Sequence, residues 1–291
     1  MTSGLDLYTR TARLASARVI RAYSTSFGLA SRLLPRRVRG HIADVYALVR
    51  VADEIVDGPA AEAGVAGAER RSLLDALEAE TLAAMARGFS ANLVVHAFAA
   101  TSRQTGIAAD LLRPFFSSMR MDADGFVALD EAAYRAYVHG SAEVVGSMCL
   151  RAFAQEGRGM AIDDGLEEGA RRLGAAFQKV NFLRDLADDH RRLGRSYFPG
   201  IDPLAFSEDD KLGIVAEVDD DLAVARSALT RLPPASRRAT AAAAGLFGRL
   251  NEELRVTPAA ELTRRRVSVP RAVKLRVLAA AVAGRPAAGR A

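Results

Sequence analysis

The chain has 291 residues, is half hydrophobic and one quarter charged, and carries a net charge of +5, so it can bury a sizeable core. One cysteine, Cys149, and four scattered histidines exclude an intrachain disulfide and a thiolate or histidine zinc centre. The basic balance comes almost wholly from arginines spread along the chain without aromatic interleaving, a pattern that suits phosphorylated small molecules or anionic lipid better than nucleic acid.

Alanine and leucine dominate and tryptophan is absent, which favours helix over sheet. Leu5 to Tyr23 reads as a first helix, followed by a polar break at Ser24-Thr25-Ser26-Phe27 and a turn at Leu33-Leu34-Pro35. Pro35 cannot sit in a helix interior, so it precedes a second long helix from Arg37 to Val56, which Gly58-Pro59 ends. Further helices are predicted over 66–87, 90–104, 107–119, 130–156 and 164–192, with a loop at Gly194 and Pro199-Gly200. Ser207 caps the next, with Asp210 three residues on in the manner of a capping box; it runs to Thr230, before Pro233-Pro234. Two more follow, over 235–255 and 270–284. No strand run, glycine-rich phosphate loop or solenoid repeat interrupts this order, so one all-α domain over residues 1–291 is expected. No apolar run approaches the ~18 residues that span a bilayer. The N-terminal residues form no signal-peptide core, and a lone cysteine suits a reducing compartment, so the expected location is cytoplasmic. A contact with the membrane surface remains compatible with this, Val277 to Ala283 being one apolar stretch that also suits an ordinary buried helix.

Two acidic clusters stand apart. Tyr46, Arg50, Asp53 and Asp57 follow one another at +4, +3 and +4, and so share one face of a helix whose other faces carry Val45, Leu48, Val49, Val51, Ala52, Ile55 and Val56. Gln178, Asn181, Asp185 and Asp189 repeat the design at +3, +4 and +4, among Phe177, Val180, Phe182, Leu183 and Leu186. A helix apolar nearly all round is buried, so each polar stripe faces an internal cavity or a partner charge. Structural salt bridges to arginine would satisfy either stripe alone. Both together, with amide companions, suit hard divalent cations bridged by a diphosphate: Mg²⁺ takes a few carboxylates, keeps waters and binds phosphate. Arg184 adds a guanidinium for phosphate.

The residues from Tyr46 through Asp57, and those from Gln178 through Asp189, resemble the two aspartate-rich signatures of the squalene/phytoene synthase family of head-to-head prenyltransferases. Gly194-Arg195-Ser196-Tyr197-Phe198-Pro199 resembles a family loop, and Ser24 to Phe27 with Leu33-Leu34-Pro35 its N-terminal signature. The likeness covers about residues 15 to 280 and is strongest to bacterial phytoene synthases. It implies an isoprenoid synthase helical bundle around a central cavity, and condensation of two identical allylic diphosphates through a cyclopropylcarbinyl diphosphate. By the resemblance, Asp53, Asp57, Asn181, Asp185 and Asp189 are Mg²⁺ ligands, two or three ions in all. Ser24, Ser26, Tyr46, Arg50, Gln178 and Arg184 bind or flank diphosphate. Phe27, Tyr137 and Val145 line the prenyl pocket, while Tyr197 and Arg266 close over the site.

The expected reaction is geranylgeranyl diphosphate to phytoene, in carotenoid biosynthesis. The alternatives are squalene, dehydrosqualene or presqualene diphosphate from farnesyl diphosphate, with NADPH needed only for squalene, then a terpene cyclase or a non-catalytic scaffold relative. The expected partners are prenyl diphosphates, with a peripheral membrane contact for product release and no nucleic acid. The sequence departs from the family at Glu143, where a small uncharged residue is usual, at Phe247, where Tyr is common, and in an Asp189-to-Tyr197 segment one residue longer than usual.

Overall fold

The computed structural model describes residues 3–24, 26–156 and 160–282. In chain order the helices are α1 (Gly4–Tyr23), α2 (Ser26–Ala30), α3 (Arg36–Asp57), α4 (Pro59–Glu62), α5 (Gly67–Arg87), α6 (Leu93–Thr105) and α7 (Ala109–Asp124). After these come α8 (Glu131–Val138), α9 (Val144–Phe153), α10 (Asp164–Leu193), α11 (Glu208–Leu229), α12 (Pro234–Val256), α13 (Ala259–Leu262) and α14 (Arg271–Val282). No strand occurs among the described residues; one isolated bridge joins Ala128 to Ser196.

Side chains start these helices by taking up free amide N–H groups. Asn92, Asp130 and Asp163 accept from the first turns of α6, α8 and α10, and Ser207 forms the expected reciprocal box with Asp210. The predicted helix over 130–156 is not continuous. A π turn, His139–Glu143, inserts between α8 and α9 where Gly140 meets α7. A Cβ on Gly140 would lie 2.1 Å from the Pro114 carbonyl oxygen, and Ser118 Oγ donates to the Tyr137 carbonyl at 3.1 Å. The extra residue in the turn lets the two backbones approach and re-aims everything after it.

Two apolar cores result. One unites α3, α5, α6, α7 and α9 around Leu48, Phe98, Phe115 and Phe116. The other unites α8, α10, α11 and α12 around Leu183, Val215, Leu222 and Leu254. Helices α3 and α10 carry the two stripes; the central cavity is lined by α10 together with α9, α11, α12 and residues 30–34, and on α3 by Ile42. Behind α3 lies a buried polar knot. Thr101 Oγ1 donates to Asp44 at 2.7 Å and meets His41 Nδ1 at 2.9 Å, with Arg13 Nε 3.5 Å from the same Asp44 oxygen.

Candidate active site

The stripe on α3 is held as the spacing predicts. Arg50 Nη1 donates to Asp53 at 2.5 Å and to Glu54 at 3.1 Å, and its guanidinium lies over the Tyr23 ring at 5.1 Å. On α10, Arg184 Nε donates to Asp185 Oδ1 at 2.9 Å, and Arg266 Nε stands 2.7 Å from the same oxygen, so Arg266 does reach over the second stripe. Burial, with Asp57 beside it, pushes Asp53 up to about 6. Burial again, with Asp185 and then Asp57 contributing, pushes Asp189 up to about 7. Arg195 joins the two helices, its guanidinium donating to Asp57 of α3 at 2.9 Å and its amide to the Asp189 carbonyl of α10 at 3.4 Å, so the ends of the two stripes face each other.

Among the described residues, no three acidic, histidine or cysteine side chains already converge as a ligand set. The donor set nevertheless fits divalent cations. Asp53 on α3 and Asp189 on α10 are held above the usual carboxylate range first by burial and then by the carboxylates beside them, an environment that a hard cation would relieve.

Below the stripes runs an apolar cavity of about 260 Å³. Gln178 and Asn181 line it, together with Val145, Phe177 and Cys149. On α10 the lining residues extend from Asn181 to Leu166, fifteen residues, or about 22 Å at 1.5 Å per residue. Many wall residues are small, among them Ala30, Ser31, Ala142, Gly146, Ala170 and Ala239. Gly146 and Gly174 serve packing as well, since a Cβ on Gly146 would come 2.2 Å from the Ala170 carbonyl oxygen of α10 and one on Gly174 2.3 Å from the Ala142 carbonyl oxygen of the π turn. Burial pushes the Cys149 thiol up to about 12, as expected of a small buried hydrophobe.

Tyr137 sits beside the acidic site and not on the cavity wall: its hydroxyl donates to both oxygens of Asp122, at 3.0 and 2.9 Å. Tyr197 is stacked on Phe182 at 3.9 Å. Ser24 ends α1, half-buried; Thr25 and the side chains of Ser26 and Phe27 lie outside the described residues. Glu143 turns to His139, 2.9 Å away, and is not a lining residue. Phe247 stacks on Phe177 at 3.9 Å. Asp188 pairs with Arg191 at 3.2 Å, off the stripe.

Asp122 and Arg195 escaped the sequence reading. Arg195, 5% exposed, donates to Asp57 at 2.9 Å and to the Asp122 carbonyl at 2.9 Å, and stands 3.0 Å from the Asp122 carboxylate. Burial raises Asp122 to about 8 against the pull of Arg195. A signal was available: Asp122 falls on the buried face of α7 that carries Phe115, Ser118 and Met119, where an acid needs a partner.

The family model described as squalene/phytoene synthase matches residues 20–206. A 15-cis-phytoene synthase of Paracoccus sp. (strain N81106 / MBIC 01143) is 29% identical over 91% of this chain and 89% of its own length. A presqualene diphosphate synthase of Rhodopseudomonas palustris is 30% identical over 61% of this chain and 59% of its own. Among solved structures, a dehydrosqualene synthase superposes with TM-score 0.76 at 19% identity, covering 95% of this chain and 97% of that one. A squalene synthase of Alicyclobacillus acidocaldarius gives 0.72 at 21% identity, covering 86% and 95%. The expected all-α isoprenoid synthase fold is therefore the observed one, and the chain belongs to the squalene/phytoene synthase family, as a prenyltransferase of the head-to-head type.

Proposed function

We propose that the protein is a phytoene synthase, joining two molecules of geranylgeranyl diphosphate head to head with Mg²⁺. The observation that carries the chain length is the reach of the cavity along α10, about 22 Å from Asn181 to Leu166. An extended chain advances roughly 1.2 Å per main-chain atom, so a C20 prenyl group with its sixteen-carbon main chain needs about 19 Å and a C15 group about 14 Å. The longer group fills the cavity; the shorter would leave its end bare.

Asp53, Asp57, Asn181, Asp185 and Asp189 would hold the cations. Bound there, these would neutralise the diphosphate as it leaves. Arg50, Arg184 and Arg266 present guanidinium forks at both stripes, shaped for diphosphate oxygens, and by the family resemblance Tyr46, Gln178, Ser24 and Ser26 would flank the diphosphate. In the reaction read here, the C1–O bond of one substrate breaks and the diphosphate keeps the electron pair. The C2–C3 double bond of the second substrate attacks C1, and loss of a proton closes the cyclopropane. Departure of the second diphosphate, rearrangement and loss of another proton give the 1,1′-linked hydrocarbon, with no reductant consumed. The apolar wall excludes water that would quench the cations, and Tyr197 on Phe182 shields the upper side. Asp122 and Tyr137 stand beside the stripes as a hydrogen-bonded pair able to hold a proton.

Incubation of the purified enzyme with geranylgeranyl diphosphate and Mg²⁺ tests the reading. A C40 hydrocarbon formed equally with and without NADPH supports it. A C30 product formed only from farnesyl diphosphate would move the enzyme to the activity named for its Rhodopseudomonas relative.

A further inference from the structure

The charge of this protein is unevenly placed. Between Leu7 and Ala43 stand eight arginines and no acidic residue, so this segment alone carries more than the net +5 of the whole chain. Of the eight, only Arg13 has a carboxylate partner among the described residues, Asp44 at 3.5 Å. On α1, Leu7, Arg10, Leu14, Arg18 and Arg21 follow at +3, +4, +4 and +3 and are all exposed, a single outward strip. Leu7 is 59% and Leu14 67% exposed, beside guanidinium groups that have no carboxylate partner among the described residues. The same segment then turns inward: Ala30, Ser31, Leu34 and Ile42 are wall residues of the prenyl cavity.

A folded protein gains nothing internally from such a strip, since like charges repel and the leucines stay in water. An anionic bilayer answers both features. Its phosphates pair with guanidinium forks, and its interface accepts leucine side chains a few ångströms deep. Nucleic acid would match the charge but not the leucines, and the strip offers no aromatic platform. We propose that the outer face of α1 docks the protein on anionic phospholipid, which would also receive a hydrocarbon product. The docking surface stands on the α1 geometry; only its use in product release rests on the function proposed above.

Flotation of the full chain with vesicles tests this without any substrate. One set holds phosphatidylcholine alone, the other one part phosphatidylglycerol to three of phosphatidylcholine. Binding to the anionic vesicles only, weakening as salt rises, is expected. Each arginine near an anionic surface is worth about 1 kcal/mol, roughly fivefold in partitioning, so the triple variant Arg10→Gln, Arg18→Gln, Arg21→Gln is expected to bind about a hundredfold more weakly. Leu7→Ser with Leu14→Ser is expected to weaken binding without altering its salt dependence. Arg135→Gln, an exposed arginine on α8, is expected to bind as the parent does. All these positions are exposed, so an unchanged far-UV circular dichroism spectrum certifies each variant. The proposal is overturned by equal binding to both vesicle types, by no binding, by full binding of the triple variant, or by tighter binding to a DNA duplex than to the anionic vesicles.

Discussion

Ala170→Phe places a ring in the cavity wall eleven residues along α10 from Asn181, about 16 Å below the stripes. That depth still admits a twelve-carbon main chain of about 14 Å but not a sixteen-carbon one of about 19 Å. The last prenyl unit of geranylgeranyl diphosphate then loses its burial. At about 0.8 kcal/mol per carbon, five carbons come to about 4 kcal/mol, or close to 10³-fold in kcat/KM. Farnesyl diphosphate is expected to be turned over by the variant at least as well as by the parent. The assay is steady-state product formation from each substrate, separated by chromatography and mass, with the thermal midpoint showing that the variant folds. A variant that keeps kcat/KM for geranylgeranyl diphosphate within threefold of the parent, or that loses both substrates equally, refutes the depth argument.

Further outcomes follow from other parts of the molecule. Asp53→Ala or Asp185→Ala is expected to lower turnover by about 10²–10³-fold or more while the helical circular dichroism spectrum is kept; full activity in either would remove the metal-site assignment. Cys149 is the sole cysteine and lines the cavity, so a small apolar thiol reagent should label it slowly, and a bound prenyl diphosphate should slow labelling further; labelling indifferent to substrate would place the prenyl chain elsewhere. Gly140→Ala is expected to cost about 1–3 kcal/mol in chemical denaturation, because its Cβ would lie 2.1 Å from a backbone oxygen that cannot swing away. In the knot behind α3, burial first, then Arg13 and Arg37, push His41 down to about 4, while burial pushes Asp44 up to about 6. An unfolded histidine takes up its proton near 6.5, so His41 withdraws about 3 kcal/mol of stability as pH falls from about 6.5 to 4. Folded Asp44 keeps its proton up to about 6, so its penalty of similar size is absent at low pH and grows as pH rises from about 4 to 6. The two slopes oppose each other in the parent. Asp44→Asn is expected to expose the His41 slope, giving a steeper loss of stability on acidification; an unchanged slope would contradict the pairing.

Much of the architecture was legible in the sequence because prolines and caps punctuate it. Pro35, Gly58-Pro59, Ser207 and Pro233-Pro234 fall at real helix boundaries, and each stripe lies within a single helix, α3 or α10. The π turn at His139–Glu143 was not legible, because no local residue demands it; it depends on Pro114 and Ser118 of a different helix. The same limit explains Arg195. It stands in the quoted loop motif, but its bridge from Asp57 to Asp122 spans 138 residues of sequence to one partner and 73 to the other, and only the fold brings the three together. Glu143 broke the family pattern without consequence for the cavity, since His139 one turn earlier takes its carboxylate.

The most direct measurement offers the enzyme geranylgeranyl and farnesyl diphosphate together, at equal concentration with Mg²⁺, and weighs the hydrocarbons formed. Two facing carboxylate stripes above a cavity that runs about 22 Å along α10 predict that the C40 product dominates. A dominant C30 product would contradict the reading of the cavity, and the absence of any hydrocarbon would contradict the reading of the stripes.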